Sequence, residues 1–490
     1  MKMPGLRDLY PCGQVDGGTA QIEAGTAQIE AGTAQIEAGT GRRRFLWQMA
    51  NGFLGTAIGS LWAADGRMPE AKLVGEPRAK SVIYIFLCGG MSHIDTFDPK
   101  DNKHAGKLMD AIGFGDNNAE MKRPVIPILR TFKNCGQSGI PVSDWFPHIG
   151  EVIDEFAVVR SMYCHQTNHF PAVIEHTTGK PIRQFEHPSL GSWVTYALGT
   201  ANKDLPAFVN IGRPSSPVQL MGGYLGAAYS ATPFQPGDVP IPDLLPPSSS
   251  SRAERDRQMQ MLSELNQQFR QDYALETAVA ARVRAYELAA TMMLKAPAIV
   301  DFKQEPEHVK ELYGIGATDT DDFGRQLLLA RRLVENGVRY IQLCHAGGGN
   351  GSWDAHGDMK THEPLCRSID KPISGLIRDL KQRGLLDQTL VVLTSEFGRT
   401  PWSQNTTGRD HNGKGFSTLL AGGGVKGGVI EGATDEVGYK AVESPHYISD
   451  LQATVLKQMG LNYKKMDFTL NGRAFHLIEE GTGPIEKILR

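Results

Sequence analysis

Residues 81–87 (SVIYIFL) form an unbroken apolar run that stops at Cys88-Gly89-Gly90, the pattern of a strand buried on both faces. Shorter apolar runs at 156–159 and 207–211 predict two more strands. From residue 322 the chain alternates. Residues 322–335 place Leu327, Leu328, Ala330 and Leu333 along one side of a helix, and 338–343 predicts a strand. Helical periodicity resumes over 363–383, followed by strands at 389–393 and 417–420 and a last helix at 448–459. Strands separated by helices predict an α/β fold: a mostly parallel central sheet with helices on both faces. Residues 233–251, rich in Pro and Ser, predict an exposed loop. Residues 253–294, dominated by Arg, Glu, Gln, Leu, Met and Ala, predict a helical hairpin or cap, so 233–300 reads as a helical insertion in the α/β domain.

The amino end breaks the pattern. Three copies of GTAQIEA begin at Gly18, Gly25 and Gly32, each with one bulky apolar residue and a Gly-Thr pair that disfavours a helix. Residues 1–41 therefore predict a disordered extension. Next come Arg42-Arg43-Arg44-Phe45-Leu46, a glycine-diluted apolar segment from Phe53, and small residues at Ala63-Ala64, an export-signal pattern over 42–64. Paired arginines followed by Phe-Leu resemble a twin-arginine signal, which implies a periplasmic or extracellular destination.

Composition narrows the classes. Of 490 residues, 40% are hydrophobic, enough for a large core, and 51 basic against 54 acidic side chains give a formal charge of −3. That balance, with no basic or aromatic stripe, argues against a nucleic-acid binder. Six Cys in this length are no disulfide framework, and no run reaches the roughly 20 apolar residues of a strong membrane span.

In parallel sheets ligands lie beyond the carboxyl ends of the strands. There the chain carries Gly89-Gly90-Met91-Ser92-His93-Ile94-Asp95, then Trp353-Asp354-Ala355-His356-Gly357-Asp358 after a glycine-rich turn, then Glu396-Phe397-Gly398-Arg399, and shortly after Asp410-His411-Asn412. Imidazoles and carboxylates gathered at strand ends suit Zn²⁺, Mn²⁺ or Fe. Candidate metal ligands are Asp354, His356, His411, Glu396, Asp95 and His93. Arg399 can grip an ester oxyanion bidentately or pair with a neighbouring acid. Asp95 with Thr96 can equally cap the segment that follows. The triple glycine at 347–349 is no phosphate loop, because it lacks a Gly-Lys-Ser/Thr ending.

FLCGGMSHIDTFDPK, HFPAVIEHTTGK, GSWDAHGDM, LTSEFGRTP and GRDHNGKGF, in that order over about residues 78–485, resemble the exported DUF1501 family. That family is similar to sulfatases within the alkaline phosphatase-like superfamily. The resemblance implies an alkaline phosphatase-like α/β domain and a metal-dependent hydrolase of phosphate or sulfate esters, with a divalent ion (Zn, Mn or Ca). Its partners would be small anionic esters or sulfated or phosphorylated glycans. It implies a metal site at Asp354, His356 (with Asp358 as substitute) and His411, and a second site lost or rebuilt from His93, Asp95 and Glu396. The sulfatase nucleophile position, ten residues before Gly179, holds His169, so no Cys or Ser is available for formylglycine. His169 is then the candidate nucleophile or proton carrier, with Asn168 polarising substrate. Phe397 stands where the superfamily has a ligating His. The alternative is a catalytically degraded member that binds anionic glycans or a protein partner.

Overall fold

The computed structural model describes residues 75–112, 120–181, 187–234, 301–402, 407–470, 472–478 and 482–490, with a few single positions between 257 and 299. The GTAQIEA repeats and the twin-arginine segment lie outside the described residues, as does almost all of 235–300.

Among the described residues, one central sheet contains β1 Ser81–Leu87, β2 Phe156–Tyr163, β3 Phe208–Gly212, β4 Thr232–Phe234, β5 Tyr340–His345, β6 Thr389–Ser395, β7 Phe416–Ala421, β8 Val429–Glu431 and β9 His446–Tyr447. Their order is β8-β2-β7-β6-β1-β5-β3-β4, with β9 also pairing β2. Only β7 runs antiparallel to its neighbours; every other pairing in this sheet is parallel. The longer helices are α1 His169–Thr178, α2 Leu190–Leu198, α3 Asp321–Glu335, α4 His362–Gln382 and α5 Ile448–Gln458. None of the helices described is long and apolar enough to cross a membrane.

The continuous apolar run of β1 is explained by its two covered faces. Ile83, Ile85 and Leu87 enter one core with Leu327 and Leu333 of α3 and Ile373, Leu376 and Ile377 of α4. Val82, Tyr84 and Phe86 enter the other with Val173 of α1, Trp193 of α2, and Leu451 and Val455 of α5. The predicted α/β class, with helices on both faces of a mostly parallel sheet, is what the structure contains. One local expectation is corrected: residues 233 and 234 are no loop, because β4 pairs in parallel with β3.

Register sets where chemistry can occur. Leu87 pairs with His345 on one side and with Ser395 on the other. The segments after β1, β5 and β6 therefore leave the sheet at one edge. Gly89 shows how tightly they pack: its φ is +116°, and a Cβ there would lie 2.7 Å from the Asp354 amide nitrogen. A side chain at this position would push Asp354 out of place.

Candidate metal centre

Four segments meet at this edge. The loop after β5 brings Asp354 and His356, Glu396 directly follows β6, and His169 is the first residue of α1. His411 lies opposite Arg399 in a short antiparallel ladder between Gly398–Arg399 and His411–Asn412. Helix α1 forms despite Pro171, because proline in the first turn displaces no intrahelical hydrogen bond. It stops at Gly179, whose φ of +69° is left-handed.

Asp354 is the hub. Its Oδ1 lies 3.0 Å from His356 Nε2, 3.0 Å from His411 Nε2 and 2.9 Å from Arg399 Nη2. Its Oδ2 lies 3.1 Å from His169 Nε2. The Nε2 atoms of His356 and His411 face each other at 2.9 Å. Each imidazole is held from behind through Nδ1: His169 by Glu396 Oε1 at 2.8 Å, His411 by the Thr167 carbonyl at 2.7 Å, and His356 by Asp410 Oδ1 at 3.3 Å. An oxygen at Nδ1 takes the proton there when the ring is neutral, which leaves Nε2, the atom turned to Asp354, as the one that can bind a metal. His169 Nε2 is buried and faces Asp354 Oδ2. Ligand atoms of His169, Asp354 and His411 lie within 4.8 Å of one another, the spacing of donors that can share one cation.

Burial opposes ionisation of Asp354, but bonds from the three histidines and the charge of Arg399 hold its carboxyl well below the ordinary carboxylate range. Bonds to Asp354 and Asp410 raise His356 to about 9, while burial lowers His411 to about 4. For His169 burial pulls down, but Asp354 and Glu396 outweigh it and leave a net rise.

The remaining candidates stand elsewhere. Glu396 is completely buried, and its two oxygens accept from the Gly89 amide at 2.9 and 3.1 Å while Oε1 holds His169. It sits behind an imidazole and not at the Nε2 cluster. Arg399 was a candidate grip for an ester. It is 0% exposed, and its guanidinium donates to the carbonyls of Gly89, Gly90, Trp353 and Arg409 as well as to Asp354. It faces Asp354, with no open side for substrate. Asp95 is sealed in a pair with Arg409 at 2.7 Å, and His93 Nε2 lies 2.7 Å from the Gly438 carbonyl. Neither side chain is turned to the cluster around Asp354. Asn168 is exposed at the start of α1, where its side chain makes no capping bond. Two contributors escaped sequence reasoning: the Thr167 carbonyl, which no side-chain motif reveals, and Asp410, whose only signal was its place beside His411.

A family model described as a protein of unknown function, DUF1501, matches residues 79–489. The chain belongs to the DUF1501 family. No curated protein matches this DUF1501 chain. Among solved structures, a Pseudoalteromonas sp. sulfatase, PsFucS1, is 13% identical with a TM-score of 0.34, over 84% of this chain and 72% of its own. The alkaline phosphatase of the Antarctic bacterium TAB5 is 10% identical with a TM-score of 0.33, over 79% of this chain and 100% of its own. A phosphonate monoester hydrolase from Silicibacter pomeroyi is 12% identical with a TM-score of 0.31, over 70% and 73%.

Proposed function

We propose that this DUF1501 protein is an exported, metal-dependent hydrolase of phosphate or sulfate esters, with one divalent ion held by Asp354, His356, His411 and His169. One observation carries the reading: the Nε2 atoms of His356 and His411 lie 2.9 Å apart with both Nδ1 atoms occupied. At that distance the two Nε2 atoms share a proton in the absence of metal, and a divalent cation beside Asp354 would take that proton's place, as the spacing of the His169, Asp354 and His411 ligand atoms allows. The buried Nε2 of His169, turned to Asp354 Oδ2, fits the same ion. A divalent ion bound there polarises an ester oxygen and lowers the pKa of a water at neutral pH.

The chain's own residues do the rest. Asp354 carries the charge that draws a cation in, and Arg399 fixes its orientation from the sealed side. Glu396 holds the proton of His169 at Nδ1, so His169 acts as a ligand and not as the attacking group. His356, with 32% of its side chain exposed, lies where substrate can enter, and His411, at 3%, forms the floor. Small anionic esters, including sulfated or phosphorylated glycan units, suit such a centre. The arginines at 42–44 before Phe45-Leu46 support export by the twin-arginine route.

The test pairs metal analysis of full-length protein, purified without chelator, with hydrolysis of an aryl phosphate and an aryl sulfate. About one equivalent of a divalent metal and turnover of one ester are expected; less than about 0.2 equivalents refutes the centre. A second reading, a binding protein for anionic glycans or a protein partner, is favoured by Arg399, which has no free face to offer an ester. One equivalent of metal with no turnover of either ester supports it.

Glu396→Gln tests how His169 is held. The amide keeps the shape but, whichever way it turns, sets an NH₂ group against the Gly89 amide and so disturbs the oxygen that holds His169. Metal affinity, read by competition with a chromogenic chelator, should fall about 10- to 100-fold, as when an outer partner of a metal-binding imidazole is lost. Unchanged affinity removes Glu396 from the centre.

A further inference from the structure

Glu175 lies in α1 beyond His169 and is completely buried. Its carboxylate accepts from the backbone amide of His165 at 3.0 Å, from that of Gln166 at 3.2 Å and from the Tyr447 hydroxyl, and His165 Nδ1 lies 3.0 Å away. None of these partners is Lys or Arg. Burying a carboxylate without a fixed cation is costly, so its hydrogen bonds must hold the surrounding chain firmly to compensate.

What Glu175 holds is the loop entering the centre. Residues 167 and 168 are exposed, and His165, though exposed, lies against the Tyr163 and Tyr447 rings, so the loop is anchored at its start and not at the residues that enter the centre. Yet the Thr167 carbonyl must stay 2.7 Å from His411 Nδ1, and the loop delivers His169 at the first position of α1. We propose that Glu175 is a positioning residue. By pinning His165 and Gln166 to α1, it places the Thr167 carbonyl that orients His411 and the entry angle that orients His169. The inference rests on reading the site as a metal centre. A carboxylate is required because its partners donate; the amide of Gln would turn NH₂ towards backbone N–H.

The experiment uses full-length protein and Co²⁺ alone as probe, with affinity from chelator competition and geometry from the visible absorption of bound Co²⁺. Glu175→Gln should bind Co²⁺ about 10- to 100-fold more weakly and shift the absorption band. Tyr447→Phe removes one donor and leaves the loop amides bound, so it should move affinity the same way by a smaller factor. A Glu175→Gln protein with lowered melting temperature but wild-type affinity and spectrum overturns the proposal, since a purely structural carboxylate behaves that way. If Glu175→Gln does not fold, the Tyr447→Phe protein decides, and unchanged Co²⁺ affinity overturns the proposal. Absence of Co²⁺ binding by the wild type refutes the metal centre itself, and this inference with it.

Discussion

Asp354→Ala is expected to cost more than about 100-fold in metal affinity, beyond the range for losing an outer partner, and to abolish ester hydrolysis. Among the described residues, Asp354 alone offers a carboxylate to His169, His356 and His411 together. Without it three imidazoles remain, two of them facing each other at 2.9 Å, and no carboxylate is left among them to draw in a cation. Arg399 loses its one carboxylate partner but keeps its carbonyl acceptors. The metal-free fold should therefore lose at least about 1.5–3 kcal/mol, the range for a single hydrogen bond to a charged group. Chelator competition and thermal unfolding in excess chelator read the two effects separately. Asp354→Asn should lose affinity almost as fully while unfolding closer to wild type. His411→Ala should exceed His356→Ala, because His411 is sealed at 3% side-chain exposure and His356 is at 32%. A protein with Ala at 354 that still retains a full equivalent of metal sinks the centre and the hydrolase reading together.

Why some of this was legible in the sequence and some was not has a physical basis. Apolar runs bounded by glycine report burial directly, so β1 and β6 appear at nearly their true positions, and α3, α4 and α5 appear through their single apolar stripe. Helix α1 was invisible: HFPAVIEHTT mixes a proline, β-branched residues and histidines, and its stability comes from packing against the sheet and α5. Helix α2, whose Leu190, Trp193 and Val194 are buried, was missed for a similar reason. At the site, the sequence names the residue types at strand ends but not which way each side chain turns. Asp354 and His411 are 57 residues apart and meet only because Leu87 is in register with both His345 and Ser395. Asp95, His93 and Arg399 have the right chemistry, yet the backbone turns them into Arg409, the Gly438 carbonyl and a cage of carbonyls.

The Asp95–Arg409 pair yields the largest expected loss of stability. Both side chains are 0% exposed, joined at 2.7 and 3.2 Å, with Ser92 Oγ donating to the same carboxylate at 2.6 Å. Arg409→Met strands a buried carboxylate and should destabilise by about 3–5 kcal/mol, as for other broken buried pairs. The pH dependence should also reverse. In the wild type burial pushes the Asp95 carboxyl up, but the charge and bonds of Arg409 and the Ser92 bond outweigh it and leave it lowered. A lowered carboxyl contributes stability above its unfolded pKa of about 3.9, lost only as pH falls through the folded value. In Arg409→Met nothing offsets that burial with a cation, and the carboxyl rises. Stability should then fall as pH increases above about 4, because deprotonation in the core becomes the unfavourable step. Denaturant unfolding at pH 5 and pH 8 distinguishes the two: little change for this pair in the wild type, a clear loss at pH 8 in Arg409→Met. Combining Arg409→Met with Asp95→Leu removes both charges and should recover much of the stability, since an apolar replacement of a buried pair is often neutral or better. If the double variant is as unstable as the single one, the carbonyls of Thr400 and Pro127 that Arg409 also satisfies, and not the charge of Asp95, are what hold this part of the core.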